Sequence, residues 1–420
     1  MSLLYARRRW LPPRLVLALV LSGGMSAPAA EVAGEAAKKC FFFPAAGLTL
    51  DADFSGGRLN DCTQAAAGRF QVLIRAETTP INNSAWYAFR VRSDQPQTIE
   101  LELKYEGGTH RYAPKVSRDG RTWTRLTGAA YQPAKGQAPL LRLDVGPEPL
   151  WVAAQELLIA EDLYGWARRT ATATGAAERE VGRSVAGRPL LAWTLGNADS
   201  ADHLVFIGRQ HPPEVTGSLA LMALVDRLTE GDDLAVRFRQ RFQVTVIPLV
   251  NPDGVELGHW RCNLNRVDLN RDWMKFIQPE TRAVRDEIQR LAAAGQTLRL
   301  FLDFHSTGHD VFYTQRDSDP MVPPDFTRRW LEAVQQQLPE YRVRREGSAA
   351  GKLALAAPWA YRTFRIPAIT YEVGDNTPRP LIRTVARAAG ETLMRTLLAD
   401  AAQGRLPAAG GKQNQAAAGG

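Results

Sequence analysis

Four compact apolar runs, separated by segments with helical spacing, constrain the second half of this chain more than any other feature. The apolar runs are Leu204–Ile207, Phe242–Leu249, Leu298–Phe304 and Ala368–Tyr371. The helical segments are Leu219–Leu228, Thr281–Ala293, Phe326–Leu338 and Leu381–Leu398. Strands interleaved with helices of this length predict an α/β domain with a mostly parallel or mixed sheet. In such a sheet, chemically active side chains collect on the loops just past the strand ends.

The preceding segment has the pattern of short antiparallel strands. Residues Ile99–Tyr105 alternate strictly between apolar and polar, and Phe70–Arg75 and Trp86–Val91 are rich in β-branched and aromatic residues. Turn signals such as Gly107-Gly108 separate these runs. The pattern predicts a small antiparallel β-sandwich domain over residues 40–155.

Composition shifts toward Ala, Glu and Arg after the predicted sandwich. This shift predicts a helix over Gln155–Thr170 that leads into the α/β domain, which we place at 156–402. The Ala/Gly/Gln-rich residues 403–420 are predicted to form a disordered tail.

The N-terminal residues have the three parts of an export signal in the right order. Arginines at Arg7–Arg9 precede the apolar run Leu15–Leu21, and Ala27-Pro28-Ala29 offers a cleavage site. We therefore predict a signal peptide over 1–29 and a periplasmic or secreted protein. The alternative is an uncleaved anchor, although seven apolar residues are fewer than the roughly 20 that span a bilayer. Because no later segment is a transmembrane candidate, stable membrane insertion after cleavage is not expected.

Net charge excludes one class of partner. The formal charge is +8, but four arginines in the first 29 residues and Arg405 and Lys412 near the end account for six of these charges. The remaining body is nearly neutral, so the high isoelectric point does not indicate nucleic-acid binding.

The three cysteines leave two arrangements open. In an oxidising compartment Cys40 and Cys62 could form a disulfide and leave Cys262 as a buried thiol, but the sequence does not decide their redox state. Because there is no C-x-x-C pair, a thiolate zinc cluster is not expected.

Six histidines occur in the chain, and two of them follow apolar strands. His211 and Glu214 lie in His-Pro-Pro-Glu, between the strand Leu204–Ile207 and the next helix. His305 ends the apolar run Leu300–Phe304. Two histidines and a glutamate form a known ligand set for catalytic zinc, which leaves one coordination position open. The sequence therefore predicts a zinc site at the strand ends.

Two further groups of polar residues follow apolar strands. Asn251-Pro252-Asp253-Gly254 is a turn that directs the following loop, with Arg261 and Asp268-Leu269-Asn270-Arg271, to the same edge of the sheet. Arginines there could bind a carboxylate and stabilise an oxyanion. Glu372 ends the strand from Ala368 and is a candidate general base, because an acid at that position is costly without a partner.

Together these motifs resemble the signature of the zinc carboxypeptidase family related to carboxypeptidase A. The resemblance covers about 180–400, and the combined set of motifs is highly specific. The preceding segment, with Asp53-Phe54-Ser55-Gly56-Gly57 and Trp86-Tyr87-Ala88-Phe89, is more loosely similar to the N-terminal domain of the cytosolic carboxypeptidase branch. The resemblance implies a mixed-sheet catalytic domain with helices on both faces, preceded by the sandwich, and one Zn²⁺ per chain.

The resemblance also implies a role for each residue. His211, Glu214 and His305 would ligate zinc, and Asp268 would orient His211. Arg261 would polarise the scissile carbonyl, whereas Asn270 and Arg271 would bind the substrate's terminal carboxylate. Glu372 would take a proton from zinc-bound water and deliver it to the leaving amine. The implied substrate is the C-terminus of a peptide or protein.

One departure from the family concerns substrate recognition. Many members have a tyrosine about 22 residues before the catalytic glutamate, where this chain has Ala350, and Tyr341 and Tyr361 are out of register. Ala357 lies where the family often holds its side-chain specificity residue, and Lys352, Arg362 and Arg365 are candidate sources of a preference for acidic C-termini. The oligomeric state is not predicted.

Two alternative functions remain open at this point. An exported enzyme of this chemistry could be an amidopeptidase that acts on peptidoglycan stem peptides. In a second alternative the sandwich binds a ligand and the zinc domain is inert, but the complete set of His211, Glu214, His305 and Glu372 argues against it.

Overall fold

The computed structural model describes residues 39–133, 138–347 and 354–407. The predicted signal peptide and residues 408–420 of the predicted tail lie outside these ranges. No helix in the described ranges combines the length and apolar character needed to cross a bilayer. Cys40, Cys62 and Cys262 are all free thiols, so the disulfide considered above is not formed in this structure.

Two sheets form the N-terminal part, in the orders β1-β2-β5-β11-β7-β8 and β3-β4-β6-β10-β9. Their inward-facing side chains, such as Leu50 and Val152 in one sheet and Phe70 and Leu101 in the other, share one buried cluster. Neighbouring strands are antiparallel except β4 and β6, which pair in parallel. The strands are β1 (Cys40–Phe43), β2 (Leu48–Asp51), β3 (Asp61–Ala66), β4 (Arg69–Arg75), β5 (Ala88–Ser93), β6 (Gln97–Glu106), β7 (Lys115–Ser117), β8 (Thr124–Arg125), β9 (Tyr131–Gln132), β10 (Leu140–Val145) and β11 (Leu150–Ala153).

An eight-stranded mixed sheet forms the second part, in the order β12-β13-β15-β14-β16-β19-β17-β18. Its four central strands are parallel and correspond to the four apolar runs of the sequence. The strands are β12 (Ala177–Arg183), β13 (Pro189–Gly196), β14 (Asp202–Gly208), β15 (Gln243–Ile247), β16 (Thr297–Thr307), β17 (Val311–Thr314), β18 (Arg345–Gly347) and β19 (Ala368–Gly374).

Helices cover both faces of this sheet because its central strands are apolar on both sides. Leu204 and Phe206 of β14 pack into one core cluster, whereas Val205 and Ile207 pack into the other. The first cluster includes side chains of α1 (Ala160–Thr174), α2 (Val215–Leu228), α3 (Asp233–Arg241), α6 (Phe326–Gln337) and α8 (Arg379–Ala402). The second includes side chains of α5 (Pro279–Ala293) and α7 (Ala356–Phe364), and α4 (Pro252–Glu256) is a short helix after β15.

Strand register decides which side chains meet at the edge of the sheet. In the parallel pair β16 and β19, His305 lies opposite Glu372. The strand β16 runs on to Thr307, two residues past His305, so the predicted end of this strand at Phe304 was too early. His305 therefore projects from a paired strand rather than from a loop.

Helix α1 starts five residues later than the sequence pattern predicts. Asp162 accepts a hydrogen bond from the backbone N–H of Ile159, which begins the helix there, and Gly175 ends it in a left-handed conformation. Gln155 instead lies in a bend after β11, and its amide donates to the carbonyl of Asp375. In the predicted tail, Leu406 is buried in the first core cluster.

Buried His203 makes the stability of the α/β part dependent on pH. Its Nε2 contacts Thr245 Oγ1 at 2.8 Å, and its Nδ1 has no partner among the described residues. Burial lowers the pKa of His203 to about 4, whereas an unfolded histidine titrates near ~6.5. The unfolded chain therefore binds this proton at a higher pH than the folded chain does.

We expect His203 to make the free energy of unfolding fall as pH is lowered from about 6.5 to about 4, by up to about 3 kcal/mol. Urea unfolding at a series of pH values would measure this for the wild type and for His203→Gln. The variant should lose this share of the pH dependence. Parallel pH profiles for the two proteins would contradict the assignment.

Candidate active site

One cavity of about 510 Å³ brings together the sequence-predicted residues at the strand ends. It is lined by His211, Glu214, Arg261, Asn270, Arg271, His305 and Glu372. Asp268 lies behind this wall and bonds to His211. Residues from four separate motifs therefore share one site, as the sequence predicts, although their chemical roles are inferred.

The turn between β14 and α2 sets the position of His211 and Glu214. Arg209 is fully buried in this turn and donates from Nε to the carbonyl of Pro212. Gly217, in the first turn of α2, lies directly against β16: a Cβ there would be 2.5 Å from the carbonyl oxygen of His305. This close approach brings Glu214 up to His305.

The three predicted metal ligands converge on one point. Glu214 Oε1 is 2.8 Å from His211 Nδ1, and Glu214 Oε2 is 2.7 Å from His305 Nδ1. One ligand atom from each residue lies within 4.8 Å of the others, and all three side chains are buried. Two imidazole nitrogens and a carboxylate at this spacing fit a zinc ion with an open position.

Carboxylates hold the outer nitrogen of each imidazole. His211 Nε2 lies 2.9 Å from Asp268 Oδ1, and His305 Nε2 lies 2.8 Å from Asp303 Oδ2. Because an ionised carboxylate only accepts hydrogen bonds, Nε2 of each ring would carry the proton when zinc is bound, and each Nδ1, on the side of Glu214, would then face the metal. The sequence motifs predict the first of these carboxylates but not the second.

Asp303 is fully buried, and Gln210 Nε2 donates to its Oδ2 at 2.8 Å. We expect Asp303→Asn to lower zinc affinity about 10- to 100-fold, because a neutral amide accepts the Nε2–H bond of His305 less strongly than the carboxylate does and orients the ring less firmly. Competition with a chromophoric chelator measures this directly, with the exposed Asp199→Asn as a control. An affinity within twofold of the wild type would count against the role.

Glu372 is a carboxylate with an unsatisfied atom beside the metal ligands. Its Oε2 is shielded from solvent and has no hydrogen-bond partner among the described residues. Burial raises the pKa of Glu372 to about 7. An orphaned acceptor of this kind in a cavity is costly unless another group occupies the site.

Asp268 links the metal site to the predicted substrate-binding residues. Besides His211, it accepts from Arg261 Nε at 2.6 Å and from the backbone N–H of Asn270. Burial alone would raise the pKa of Asp268, but its interactions with His211 and with the Arg261 guanidinium hold it well below its ordinary range. The carboxylate therefore stays ionised and fixes Arg261 near Glu214, where Nη1 is 3.9 Å from Oε1.

Asn270 and Arg271 lie on the short 3₁₀ turn Leu269–Arg271. The Asn270 carbonyl accepts from the N–H of Ala356 at the start of α7, and its amide nitrogen lies 3.3 Å from His305 Nε2 in the cavity wall. The side chain of Arg271 is about half exposed (48 %) and lines the same cavity.

The Asn251-Pro-Asp-Gly254 motif has a structural role. Asn251 caps α4 by accepting from Gly254 N–H, and its amide donates to the carbonyl of Gln210. Asp253 is fully buried and accepts from Ser184, Ala186 and Arg188. The motif thus turns the chain from β15 into the loop that carries Arg261.

Neither Tyr341 nor Tyr361, the two tyrosines considered from the sequence, lines the cavity. Tyr341 donates to Asp310 and Tyr361 to the carbonyl of Pro320, while position 350 lies outside the described residues. Tyr313, which the sequence analysis missed, lines the cavity, and its strand neighbour in β19 is Thr370. No sequence signal marks it, because its place in the cavity follows from the pairing of β17 with β19.

The sandwich also contributes to the cavity wall through Asn82, Asn83 and Arg111. The Arg111 guanidinium bonds to Asp375 and to the carbonyl of Ser306, next to the ligand His305. Its partners lie about 195 and 264 positions away along the chain, so no local pattern could have predicted this contact.

Comparison with known proteins agrees with the site. The zinc carboxypeptidase family matches residues 166–388, more than half of the chain, and the cytosolic carboxypeptidase N-terminal domain matches residues 50–142. The chain therefore belongs to the zinc carboxypeptidase family of peptide hydrolases.

Individual relatives are more distant. An uncharacterised protein of Zymomonas mobilis is 26% identical over 258 residues, which cover 58% of this chain and 64% of that protein. Human cytosolic carboxypeptidase 6 is 31% identical over 137 residues, covering 30% of this chain and 27% of its own length. The matches thus span less than two thirds of either relative.

Solved structures support the fold over most of the chain. A metallo-carboxypeptidase from Burkholderia cenocepacia has a TM-score of 0.72 at 20% identity, and the alignment covers 84% of this chain and 99% of that one. A metallo-carboxypeptidase from Pseudomonas aeruginosa in complex with (2-guanidinoethylmercapto)succinic acid gives 0.68 at 23% identity, with the same coverage.

Proposed function

We propose that the protein is an exported zinc metallocarboxypeptidase that removes C-terminal residues from peptides or proteins. The observation that carries the proposal is one cavity lined by a His-Glu-His ligand set, a partly unsatisfied glutamate and a donor pair suited to a carboxylate. A binding module would have no need of this combination.

His211, Glu214 and His305 would hold the zinc ion. When bound there, zinc supplies a Lewis acid and lowers the pKa of a water molecule toward about 7. The remaining steps of the reaction are carried out by side chains of this chain.

Glu372 is the group placed to move a proton. One of its carboxylate oxygens accepts the proton released by the attacking water, and the same carboxyl then donates it to the amine of the leaving residue. Arg261, held by Asp268, donates hydrogen bonds to the oxygen of the scissile carbonyl, where negative charge develops in the transition state.

Asn270 and Arg271 would bind the substrate's terminal carboxylate. We expect Arg271→Gln to raise KM about 10- to 100-fold while kcat changes less than about threefold, because the lost charge-assisted hydrogen bonds are equal in ground state and transition state. Steady-state kinetics on one peptide would show this, with the exposed Arg282→Gln as a control. A fall confined to kcat would contradict the assignment.

Preference for an acidic C-terminal residue is the finer part of the proposal. The cavity wall also includes the uncharged residues Tyr313, Thr314, Ala357 and Thr370. Arg362 and Arg365 do not line this cavity, and residue 352 lies outside the described ranges. Thr370 and Tyr313 offer hydroxyl donors to an acidic side chain of the substrate.

The first test is mass spectrometry of a peptide pool with Glu, Lys, Leu and amidated C-termini, incubated with the zinc-loaded protein. Loss of one residue from free C-termini only, fastest for Glu, is the expected result. Equal rates for Glu and Lys would contradict the acidic preference but not the carboxypeptidase activity. Activity on muropeptides but not on these peptides would select the peptidoglycan amidopeptidase.

Export needs a separate test. The support for it is the order of the basic, apolar and Ala-x-Ala segments within residues 1–29. Fractionation of expressing cells should recover mature protein that begins after Ala29. Protein that retains residues 1–29 in the soluble cytoplasmic fraction would overturn this part.

A further inference from the structure

A glutamate from the sandwich holds the loop that carries Arg261. Glu77 follows β4, and its carboxylate accepts three backbone hydrogen bonds from consecutive residues of this loop. Oε2 accepts from Trp260 N–H at 2.9 Å, and Oε1 accepts from the N–H groups of Arg261 and Cys262, both at 2.8 Å. These bonds connect residues 183 to 185 positions apart in the chain.

The side chain before Arg261 is anchored in the sandwich as well. Trp260 is fully buried and belongs to the sandwich core rather than to the cores beside the mixed sheet. Gly108 makes this packing possible, because a Cβ at that position would be 2.6 Å from Trp260 Cζ3. The sandwich thus holds the loop in two ways, through the main chain of residues 260–262 and through the indole ring of Trp260.

The opposite side of Arg261 faces the cavity. Its Nε donates to Asp268, and its Nη1 lies 3.9 Å from the ligand Glu214. Three N–H bonds to one carboxylate leave the backbone at this residue little freedom to move. A small displacement would carry the guanidinium away from the developing negative charge, and catalytic contacts are sensitive to shifts of about 1 Å.

We propose that Glu77 is a positioning residue, through which the sandwich holds Arg261 in place for catalysis. The inference rests on the role given to Arg261 in the proposed function. It assigns the sandwich a part in the reaction rather than a separate binding activity.

The chemistry of the contact requires a carboxylate. Burial alone would raise the pKa of Glu77, but His259, the Arg58 guanidinium and the backbone donors of Cys262 and Trp260 hold it below its ordinary value. An amide of the same shape offers one acceptor oxygen, so Glu77→Gln would turn an NH₂ group toward one of the three N–H donors. Glu77→Gln should therefore loosen the loop, and Glu77→Ala should release it.

The kinetic test uses Glu77→Ala, Arg261→Ala and the double variant, all as the full zinc-loaded protein. Arg261→Ala should lower kcat about 10²- to 10³-fold. Glu77→Ala should lower kcat at least about 10-fold with KM nearly unchanged, and the double variant should match Arg261→Ala within about twofold, since both act through one group. If the two losses multiply in the double variant, the proposal fails.

A matched control separates positioning from general stability. Val145 is buried in the same sandwich but does not line the catalytic cavity, and Val145→Ala removes apolar contacts only. Urea unfolding would establish which variants are equally destabilised. If Val145→Ala lowers kcat as much as an equally destabilised Glu77 variant, the role of Glu77 is only structural. If Glu77→Ala does not fold, Glu77→Gln is used in its place.

Hydrogen–deuterium exchange tests the contact without any activity. Glu77→Gln should speed exchange of the amides of 260–262 at least about 10-fold, and Val145→Ala should leave them unchanged. If Glu77→Gln exchanges faster but the wild-type protein has no peptidase activity, the proposed function is refuted while the contact between Glu77 and the loop is supported. Unchanged exchange would overturn the positioning role even in an active enzyme.

Discussion

Replacing Glu372 with glutamine should lower kcat by about 10²- to 10⁴-fold, because the amide can neither accept the proton from water nor return it to the leaving amine. KM should change little, since the carboxylate-binding pair Asn270 and Arg271 is untouched. Zinc content should remain at one per chain, because Glu372 is not one of the three converging ligands. Steady-state kinetics and metal analysis on the same preparation would measure all three quantities.

Glu346→Gln is the matched control for this variant. Glu346 is an exposed carboxylate on β18, the strand on the other side of β17 from β19. It should keep wild-type kcat. The free energy of unfolding of Glu372→Gln should equal or exceed that of the wild type, because the change replaces a buried ionisable carboxyl group with a neutral amide. More than half of the wild-type kcat in Glu372→Gln would refute the role of Glu372.

Removing zinc should abolish activity and lower stability while leaving the fold intact. Without the metal, two imidazoles and a carboxylate converge with no common partner. A ligand present at about 1,000 times its Kd stabilises a protein by about 4 kcal/mol, so the chelated protein should unfold at lower temperature. The fold should persist, because none of the three apolar core clusters includes a metal ligand.

Activity after chelation should return with one equivalent of Zn²⁺ and not with Mg²⁺, because imidazole nitrogens suit zinc and magnesium prefers oxygen ligands. Calorimetry and peptide hydrolysis on the same samples would follow both effects. Full activity in protein from which the metal has been removed would exclude the zinc mechanism.

The sequence determined the metal site to a large extent because its parts are local. His211 and Glu214 lie three residues apart in a single turn, so their proximity needs no tertiary information. His305 and Glu372 each end an apolar run, and parallel strands bring such ends to one edge of a sheet. The strand register, with His305 opposite Glu372, then completed a pattern that was already visible in the chain.

Element boundaries were less predictable, since local signals compete with tertiary contacts. Gln155 fits a helical composition, yet its side chain bonds to Asp375 and the helix begins at Ala160 instead. The parallel pairing of β4 with β6 inside an otherwise antiparallel sandwich likewise has no signature in either strand.

The tertiary structure alone decided what surrounds the catalytic residues. Glu77 bonds to a loop more than 180 residues away, and Arg111 reaches the carbonyl next to His305. Tyr313 enters the cavity because β17 pairs with β19. Short sequence motifs predict which residues take part in catalysis, because those residues must lie on particular turns and strand ends. The contacts that hold them come from distant segments, and they exist only once the chain has folded.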